Sequence, residues 1–293
     1  QDKQLQGKVL LLRSNDLREW HPLGEIAGSG LGGLGPFGYM WECPDMFRLA
    51  DQDMLIFCPQ GIAAEAERYR NTFQAGYLLG QLDYTKAAFD HQAFHELDAG
   101  FEFYAPQTTL AADGRRLLFA WMGIPDEDEL YQPTVAYGWI HTMTCPRELS
   151  LIDGKVIQRP ARELQVLRRE YRQWQGRAQE APALSIRSAE MIVDVSAPFI
   201  LGLGDEMMLV WDGERITLSR RNLRTGLQEF RYWRGQLQQL QLLCDSCSIE
   251  IFINQGEAVM TTCYFPTEDP IAIFNGNAEL RLQHWLLSSP MLE

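Results

Sequence analysis

Long apolar segments are absent from this sequence of 293 residues. Its apolar runs, such as 9–12 and 207–211, are far shorter than the roughly 20 residues that a membrane-spanning helix needs. Basic residues are also scarce, since 26 lysines and arginines stand against 39 acidic residues, giving a formal net charge of -13. Such a charge repels a nucleic-acid backbone and an anionic membrane. We therefore expect no nucleic-acid or membrane partner, and a small-molecule substrate instead.

Cysteine is sparse as well. Six cysteines are too few for a disulfide scaffold in a chain of this length, and most lie in apolar runs where a reduced thiol packs as a small hydrophobic group. This pattern favours a reducing, cytoplasmic location. Residues 1–7 lack an initiator Met and lead directly into a strand pattern. We therefore expect the sequence to be the C-terminal portion of a longer protein.

Signals for a cofactor or a metal are weak. Residues 28–33 match the glycine spacing of a dinucleotide fingerprint, but Gly-Pro follows at 35–36, where that motif requires a helix. His91 and His95 are four residues apart, yet the segment lacks the glutamate placement of a zinc protease. We expect no cofactor and no metal site.

Short strand patterns bounded by Gly, Asp and Pro dominate the sequence, which predicts an all-β fold. One segment is repeated: the Pro, Asp and apolar positions of 44–57 recur 62 positions later in 106–119. Repeated antiparallel units of this kind are typical of β-propeller blades. The repeat places Glu42 and Tyr104 at equivalent positions, on strands that would face one channel.

The pattern changes near 159–164, where a short helix or linker is predicted. We place a domain boundary there, with a partial β-propeller over 1–168 and a β-sandwich over 169–293. In the second part, the Asp-Gly of 209–216 predicts a hairpin with a type I′ turn, and 249–253 alternates with period two before a turn. Many short strands joined by turns are typical of a sandwich.

The segment 41–45, Trp-Glu-Cys-Pro-Asp, is the most informative part of the sequence. It places two carboxylates among aromatic residues. A carboxyl in apolar surroundings has its charged form disfavoured, which suits a general acid. Glu42 is therefore a candidate proton donor, with Trp41, Tyr104 and Trp121 as candidate platforms for sugar rings. Taken alone, these residues favour a solvated loop glutamate beside core aromatics over a catalytic site.

Several motifs jointly resemble glycoside hydrolase family 32. They are Trp41-Glu42-Cys43-Pro44-Asp45, Phe103-Tyr104-Ala105-Pro106-Gln107-Thr108, Ala120-Trp121-Met122, Arg147-Glu148-Leu149 and Ser248-Ile249-Glu250-Ile251-Phe252. Residues 7–11, 38–40 and 138–141 resemble, more narrowly, the bacterial intracellular members that act on sucrose-6-phosphate. The resemblance covers essentially the whole chain, and its motifs are specific together rather than singly.

The resemblance implies a five-bladed β-propeller followed by a C-terminal β-sandwich. It also implies cleavage of the β-fructofuranosidic bond of sucrose-6-phosphate or sucrose by a retaining double displacement, with Glu42 as general acid/base. The expected substrate-binding residues are Tyr104 and Trp121 near the fructose site, Asp98, Glu102 and Gln107 as a second tier, and Trp41 and Asp45 in the glutamate motif.

The sequence departs from the family pattern in one respect. The family's nucleophile lies in a Trp-Met-Asn-Asp-Pro-Asn-Gly-type motif and its transition-state-stabilising Asp in an Arg-Asp-Pro motif, and neither occurs here. We therefore expect this chain alone to have no appreciable sucrose-cleaving activity. The missing N-terminal segment, or a second chain, is a candidate partner.

Three questions stay open at this point. The chain could instead be a non-catalytic carbohydrate-binding or assembly module, or a fructan-hydrolysing relative. Arg68 and Arg70 are guesses for holding a substrate phosphate, and the same residues could equally be solvated surface charges.

Overall fold

A computed structural model describes residues 5–288. These residues form 24 strands in five antiparallel sheets, joined by loops and four short 3-10 helices. The all-β prediction is confirmed. No helix within residues 5–288 is long and apolar enough to cross a membrane.

The first part of the chain forms a two-stranded ribbon and two five-stranded sheets. The ribbon consists of β1 (Lys8–Arg13) and β2 (His21–Gly28). The first sheet contains β3 (Met40–Leu49), β4 (Gln52–Gln60), β5 (Gly76–Asp83), β6 (Ala88–His91) and β7 (His95–Glu96). Its order is β3-β4-β5-β6, with β7 also paired to β5.

The second sheet contains β8 (Tyr104–Leu110), β9 (Arg116–Met122), β10 (Thr142–Met143), β11 (Arg147–Ile152) and β12 (Lys155–Pro160). Strand β9 pairs with β8, β10 and β11, and β12 pairs with β11. The connection from β9 to β10 carries 3-10 helices at Glu129–Tyr131 and Pro133–Tyr137. Both sheets have the up-and-down strand order of a propeller blade.

The internal repeat corresponds to a shared backbone irregularity. Strand β3 has a β-bulge between Glu42 and Asp45, and β8 has one between Tyr104 and Gln107. The residue that follows Glu42, Cys43, has a positive φ of 50°, and the residue that follows Tyr104, Ala105, has a positive φ of 47°. The predicted equivalence of Glu42 and Tyr104 is therefore confirmed at the level of backbone conformation.

The equivalence does not extend unchanged to the second strand of each unit. Asp45 lies opposite Ile56, whereas Gln107 lies opposite Phe119 rather than Leu118, the residue 62 positions after Ile56. The turn between β8 and β9 is longer than the turn between β3 and β4, which shifts the register by one residue. The equivalent positions Ile56 and Leu118 are nevertheless both fully buried in one cluster, so only the pairing between strands differs by that one residue.

Two apolar clusters hold this part together. One lies between the two blade sheets and includes Met54, Ile56, Cys58, Leu118 and Ala120, all fully buried. The other lies on the opposite side of β4 and β5, against the β1–β2 ribbon. Because successive residues of a strand point to opposite faces, the buried run of β4 supplies both clusters.

The remaining strands form two six-stranded sheets. They are β13 (Arg168–Arg177), β14 (Leu184–Ser185), β15 (Ala189–Val195), β16 (Phe199–Leu203), β17 (Met207–Trp211), β18 (Arg215–Arg221), β19 (Gln228–Arg234), β20 (Gln239–Cys244), β21 (Ser248–Ile253), β22 (Ala258–Cys263), β23 (Ile271–Asn275) and β24 (Glu279–Leu287). The sheet orders are β13-β24-β15-β20-β21-β22 and β14-β23-β16-β17-β18-β19. Their inner faces enclose one large apolar core, as in a sandwich.

The predicted hairpins of this part are confirmed, but the type I′ turn at Asp212-Gly213 is wrong, because Gly213 has a positive φ of 106° while Asp212 is not among the residues with positive φ. Trp211 pairs with Ile216 around the Asp-Gly turn. Ile253 pairs with Ala258 around the turn at residues 254–257. The helix or linker predicted near 159–164 is a 3-10 helix at Arg162–Leu167, with a second 3-10 helix at Ala178–Glu180. The proposed division into 1–168 and 169–293 stays a prediction. Its outermost residues, 1–4 and 289–293, lie outside the described part of the chain.

Candidate active site

Glu42 is the centre of a small group of side chains, the Glu42 cluster, which comprises Glu42, its hydrogen-bond partners Gln60 and Tyr104, and Trp121, whose ring packs against Tyr104. The hydroxyl of Tyr104 donates to Oε2 of Glu42 at 2.9 Å, and Nε2 of Gln60 donates to the same oxygen at 3.1 Å. Gln60 Nε2 also lies 3.2 Å from the Tyr104 hydroxyl oxygen. Among residues 5–288, none donates a hydrogen bond to Oε1 of Glu42. One carboxyl oxygen is thus fixed and the other is available to a ligand.

Strand pairing places these groups together. Glu42 lies opposite Cys58 on β4, so Gln60, two residues further along, is its diagonal neighbour on the same face. Tyr104 begins β8, which packs against β3 and β4. Because the two bulges turn both strands in the same way, Glu42 and Tyr104 meet across the boundary between the sheets.

Trp121 extends the cluster along β9. It pairs with Tyr104, and their rings are edge to face with centroids 6.5 Å apart. His141 also packs edge to face against the Trp121 indole, with ring centroids 4.5 Å apart. Gln132 Nε2 and Glu129 Oε2 lie 3.2 and 3.3 Å from the two imidazole nitrogens, so the ring is held from both ends.

The titratable groups beside Glu42 are kept neutral by their surroundings. Burial, followed by smaller effects of Cys58 and Glu42, raises the pKa of the Tyr104 phenol above its usual range, so the hydroxyl keeps the proton that it donates. Burial likewise raises the pKa of the thiols of Cys43 and Cys58. Since thiolates are the nucleophilic form, neither cysteine is activated for attack.

Asp45 and Gln107 lie next to the cluster, where they connect β3 to β8. Asp45 Oδ2 accepts hydrogen bonds from the backbone nitrogen and the hydroxyl of Thr108, at 2.8 and 2.6 Å. Gln107 Nε2 donates to the carbonyl oxygen of Cys43 at 3.2 Å. Both side chains therefore contact the bulges that place Glu42 and Tyr104.

Trp41 is not brought into the cluster. It is 5% exposed and stacks on Phe57, with ring centroids 3.9 Å apart, while its indole nitrogen donates to the carbonyl oxygen of Phe37 at 2.7 Å. This ring lies on the face of β3 opposite Glu42, since adjacent strand residues alternate.

Asp98 and Glu102 also lie elsewhere, at the junction between the blades and the sandwich. Asp98 accepts from Arg147 Nη1 at 3.1 Å and from the backbone nitrogen of Thr261 at 2.8 Å. Glu102 accepts from Arg220 Nη1 at 2.7 Å and from the backbone nitrogen of Cys263 at 2.8 Å. Their expected contact with substrate stays a prediction, and the geometry does not support it.

No group of three or more His, Cys, Asp or Glu side chains in the described region is arranged to hold a metal ion. The Glu42 cluster presents one oriented carboxyl group beside a neutral phenol, an amide and an indole. Such a group can donate a proton and take it back.

Comparison with known proteins identifies the family. The description "Glycosyl hydrolases family 32 N-terminal domain" matches residues 1–160, more than half of the chain, and "Glycosyl hydrolases family 32 C terminal" matches residues 211–285. The chain belongs to glycosyl hydrolase family 32. The family resemblance stated from the motifs is confirmed.

Similar family 32 proteins include sucrose-6-phosphate hydrolases. Those of Klebsiella pneumoniae and Bacillus subtilis are 49% and 39% identical to this chain, over 100% and 98% of its length. The matched regions are 62% and 63% of those proteins. The chain thus spans less than two thirds of the length of the curated relatives that it matches.

Solved family 32 structures share the fold. Sucrose-6-phosphate hydrolase from Lactobacillus gasseri has a TM-score of 0.87 at 24% identity, covering 99% of this chain and 62% of that one. A mutant β-fructofuranosidase from Bombyx mori, solved in complex with sucrose, has a TM-score of 0.86 at 30% identity, covering 96% and 61%. The predicted partial β-propeller followed by a β-sandwich is confirmed.

Two residues near Glu42, Gln60 and His141, were not predicted from the sequence, because neither belongs to the glutamate motif. Gln60 ends β4 without a motif around it, and only its position relative to the bulge shows that it reaches Glu42. His141 lies within the family-like segment 138–141, but its packing against Trp121 depends on the long β9–β10 connection.

Proposed function

We propose that this chain supplies the acid/base part of a β-fructofuranosidase active site, in which Glu42 is the general acid/base. The observation that carries the proposal is the pair of hydrogen bonds from Tyr104 and Gln60 to one oxygen of Glu42, with the other oxygen unengaged by described residues. In a retaining double displacement the acid protonates the departing glucose oxygen and then takes a proton from the attacking water. An oriented carboxyl group with one available oxygen fits both steps.

The proposed substrate is sucrose-6-phosphate or sucrose. Its support is that the relatives at 39% to 49% identity are named sucrose-6-phosphate hydrolases. Trp121 would lie against a sugar ring. Gln107 and Asp45 would either contact the sugar beside Trp121 or hold strand β8 in position. A cytoplasmic location belongs to the same proposal, as expected from the unpaired thiols of all six cysteines.

We further propose that the 293 residues alone do not complete the reaction. Double displacement requires a second carboxylate as nucleophile, and the family motifs that carry it do not occur in this sequence. An N-terminal propeller segment would supply that carboxylate, in the same chain or in another.

Complementation tests this proposal. The 293-residue chain is purified alone and co-expressed with the N-terminal segment of the Klebsiella pneumoniae relative, and release of glucose 6-phosphate from sucrose-6-phosphate is measured. We expect activity only in the complemented sample. Efficient cleavage by the chain alone would refute the missing nucleophile, and sugar binding without cleavage in both samples would favour a binding module.

Substitution of Glu42 tests its role in the complemented enzyme. Glu42→Gln should lower turnover of sucrose-6-phosphate by several orders of magnitude, because the glucose oxygen is a poor leaving group that needs a proton. A fructoside with an acidic phenol as leaving group should lose far less activity in its first step. Equal losses on both substrates would count against the acid role.

A further inference from the structure

A cavity of about 480 Å³ lies between the blade sheets and the sandwich. Residues 67–71, 95–96, 98–100 and 154–156 form the blade side of its wall, and residues 231–234 of β19 form much of the opposite side. None of the four Glu42 cluster residues lines it. Cavities of this size hold small metabolites, so the wall's charges indicate what class of ligand would fit.

Arg231 is a partly buried cation that forms no ion pair with a described carboxylate, and the charges of Glu229 and Glu102 act on it only from a longer distance. Its guanidinium donates to Oδ1 of Asn71 at 2.9 and 2.5 Å and to the carbonyl oxygen of Gly100 at 3.2 Å, all neutral acceptors. Burial lowers its pKa to about 10. By contrast, the fully buried Arg147 and the partly buried Arg220 each form ion pairs with two carboxylates. A buried charge normally has a counter-charge.

Other cations of the wall add to this excess of positive charge. Arg70 reaches only the carbonyl oxygen of Glu65, at 3.5 Å, and its charge acts against that of Arg231. Arg68 lies 3.9 Å from Glu96, a long ion-pair distance. The remaining cations are matched, since Arg234 pairs with Glu67 and Lys155 pairs with Glu257.

Glu96 offsets this charge only in part. Burial raises the pKa of its carboxyl group to about 7, so near neutrality it is charged in only part of the molecules. Asp98, which also lines the cavity, is already paired with Arg147. The wall therefore carries more positive charge than the carboxylates that line it neutralise.

We propose that this cavity binds a small dianion of the phosphate monoester class, held between Arg70 and Arg231. Guanidinium groups offer several N–H donors in a plane and match the oxygens of a phosphate. The cavity shares no residue with the Glu42 cluster, so this site is separate from the proposed active site and does not depend on it. Because its walls come from both parts of the chain, bound phosphate would connect the blades to the sandwich.

Calorimetric titration and thermal unfolding of the purified protein test the site. The probes are inorganic phosphate and glucose 6-phosphate, with glucose as the neutral comparison, all at one ionic strength set with NaCl. We expect both phosphates to bind and to raise the melting temperature, as a ligand specific for the folded state does. Glucose should do neither. Absence of phosphate binding at millimolar concentration would overturn the proposal.

Three variants locate the binding. Arg70 is exposed, so Arg70→Ala should fold normally and weaken phosphate binding at least tenfold, whereas Arg281→Ala, on an exposed position of β24, should leave it unchanged. Glu96→Gln should tighten binding by removing the opposing charge. Unchanged affinity in Arg70→Ala would contradict the site, as would a changed affinity for inorganic phosphate in Glu42→Gln, which would place the anion in the Glu42 cluster instead.

Discussion

The two oxygens of Glu42 have different surroundings. Tyr104 and Gln60 both donate to Oε2, and within residues 5–288 no donor reaches Oε1. A carboxyl group held by one oxygen has a defined plane, so the direction in which Oε1 can transfer a proton is also defined. Orientation of this kind accounts for a large part of general acid catalysis.

We expect Tyr104→Phe to lower kcat of the complemented enzyme roughly 10- to 100-fold with little change in fold. The reason is that a hydrogen bond to a charged group contributes about 1.5–3 kcal/mol, and each 1.36 kcal/mol corresponds to about tenfold in rate. Initial rates on sucrose-6-phosphate measure the effect. Tyr84→Phe, on a 62% exposed tyrosine, is the matched control. Equal rates for wild type and Tyr104→Phe would show that the hydroxyl does not orient Glu42.

Glu96 should make stability depend on pH. Burial raises its pKa from 4.5 to about 7, so between these values the folded state binds more protons than the unfolded state. The stability of the folded state must then fall as pH rises through this window, by on the order of 3 kcal/mol in total. We expect Glu96→Gln to remove this part of the pH dependence, measured as urea unfolding at pH 5 and pH 8. If the free energies of unfolding of the variant and the wild type differed by the same amount at both pH values, Glu96 would not be the source of the pH dependence.

At the scale of strands, the two bulges determine the position of the site. A non-glycine residue with positive φ costs free energy unless its surroundings hold it there. Asp45 provides such contacts, because it accepts two hydrogen bonds from Thr108 of the neighbouring sheet. The side chain therefore joins the innermost strands just beyond both bulges.

We predict that Asp45→Ala lowers kcat by an order of magnitude or more and costs about 1 kcal/mol of stability, since two partly buried donors lose their acceptor. Asp90→Ala, on an exposed position of β6, should change neither. Unfolding and initial rates measured on the same samples separate the two effects. If Asp45→Ala raised KM alone, with kcat and stability intact, the residue would contact substrate directly, as its place in the glutamate motif suggested.

The same strands show how far sequence patterns reach. The repeat identified Glu42 and Tyr104 as equivalent because both units keep the same bulge. It did not show that the pairing within the two units differs by one residue, because hydrophobic patterns do not report the length of a turn. Asp98 and Glu102 resembled site residues because their cationic partners, Arg147 and Arg220, lie 49 and 118 positions away in the chain. Only the folded chain brings such partners together.

At the scale of the whole molecule, a buried ionic cluster connects the blades to the sandwich. Arg147 of β11 is fully buried and donates to Asp98 at 3.1 Å, to Glu250 of β21 at 2.7 and 3.0 Å and to Thr261 of β22 at 2.6 Å. Gln158 of β12 contacts the same guanidinium at 3.1 Å. Every member has partners, so the cluster fixes the relative position of the two parts despite the cost of burying charge.

We expect Arg147→Met to destabilise the protein by about 3–5 kcal/mol, because it leaves two buried carboxylates without their cation. Arg162→Met is the matched control: it removes an exposed ion pair with Asp113, which contributes about 0–1 kcal/mol. Urea unfolding followed by tryptophan fluorescence measures both. A further variant, Arg147→Met with Asp98→Asn and Glu250→Gln, should recover part of the loss, since it removes the stranded charges. If Arg147→Met were as stable as Arg162→Met, the apolar contacts at the junction would suffice to hold the blades against the sandwich, and the ionic cluster would not determine how they are joined.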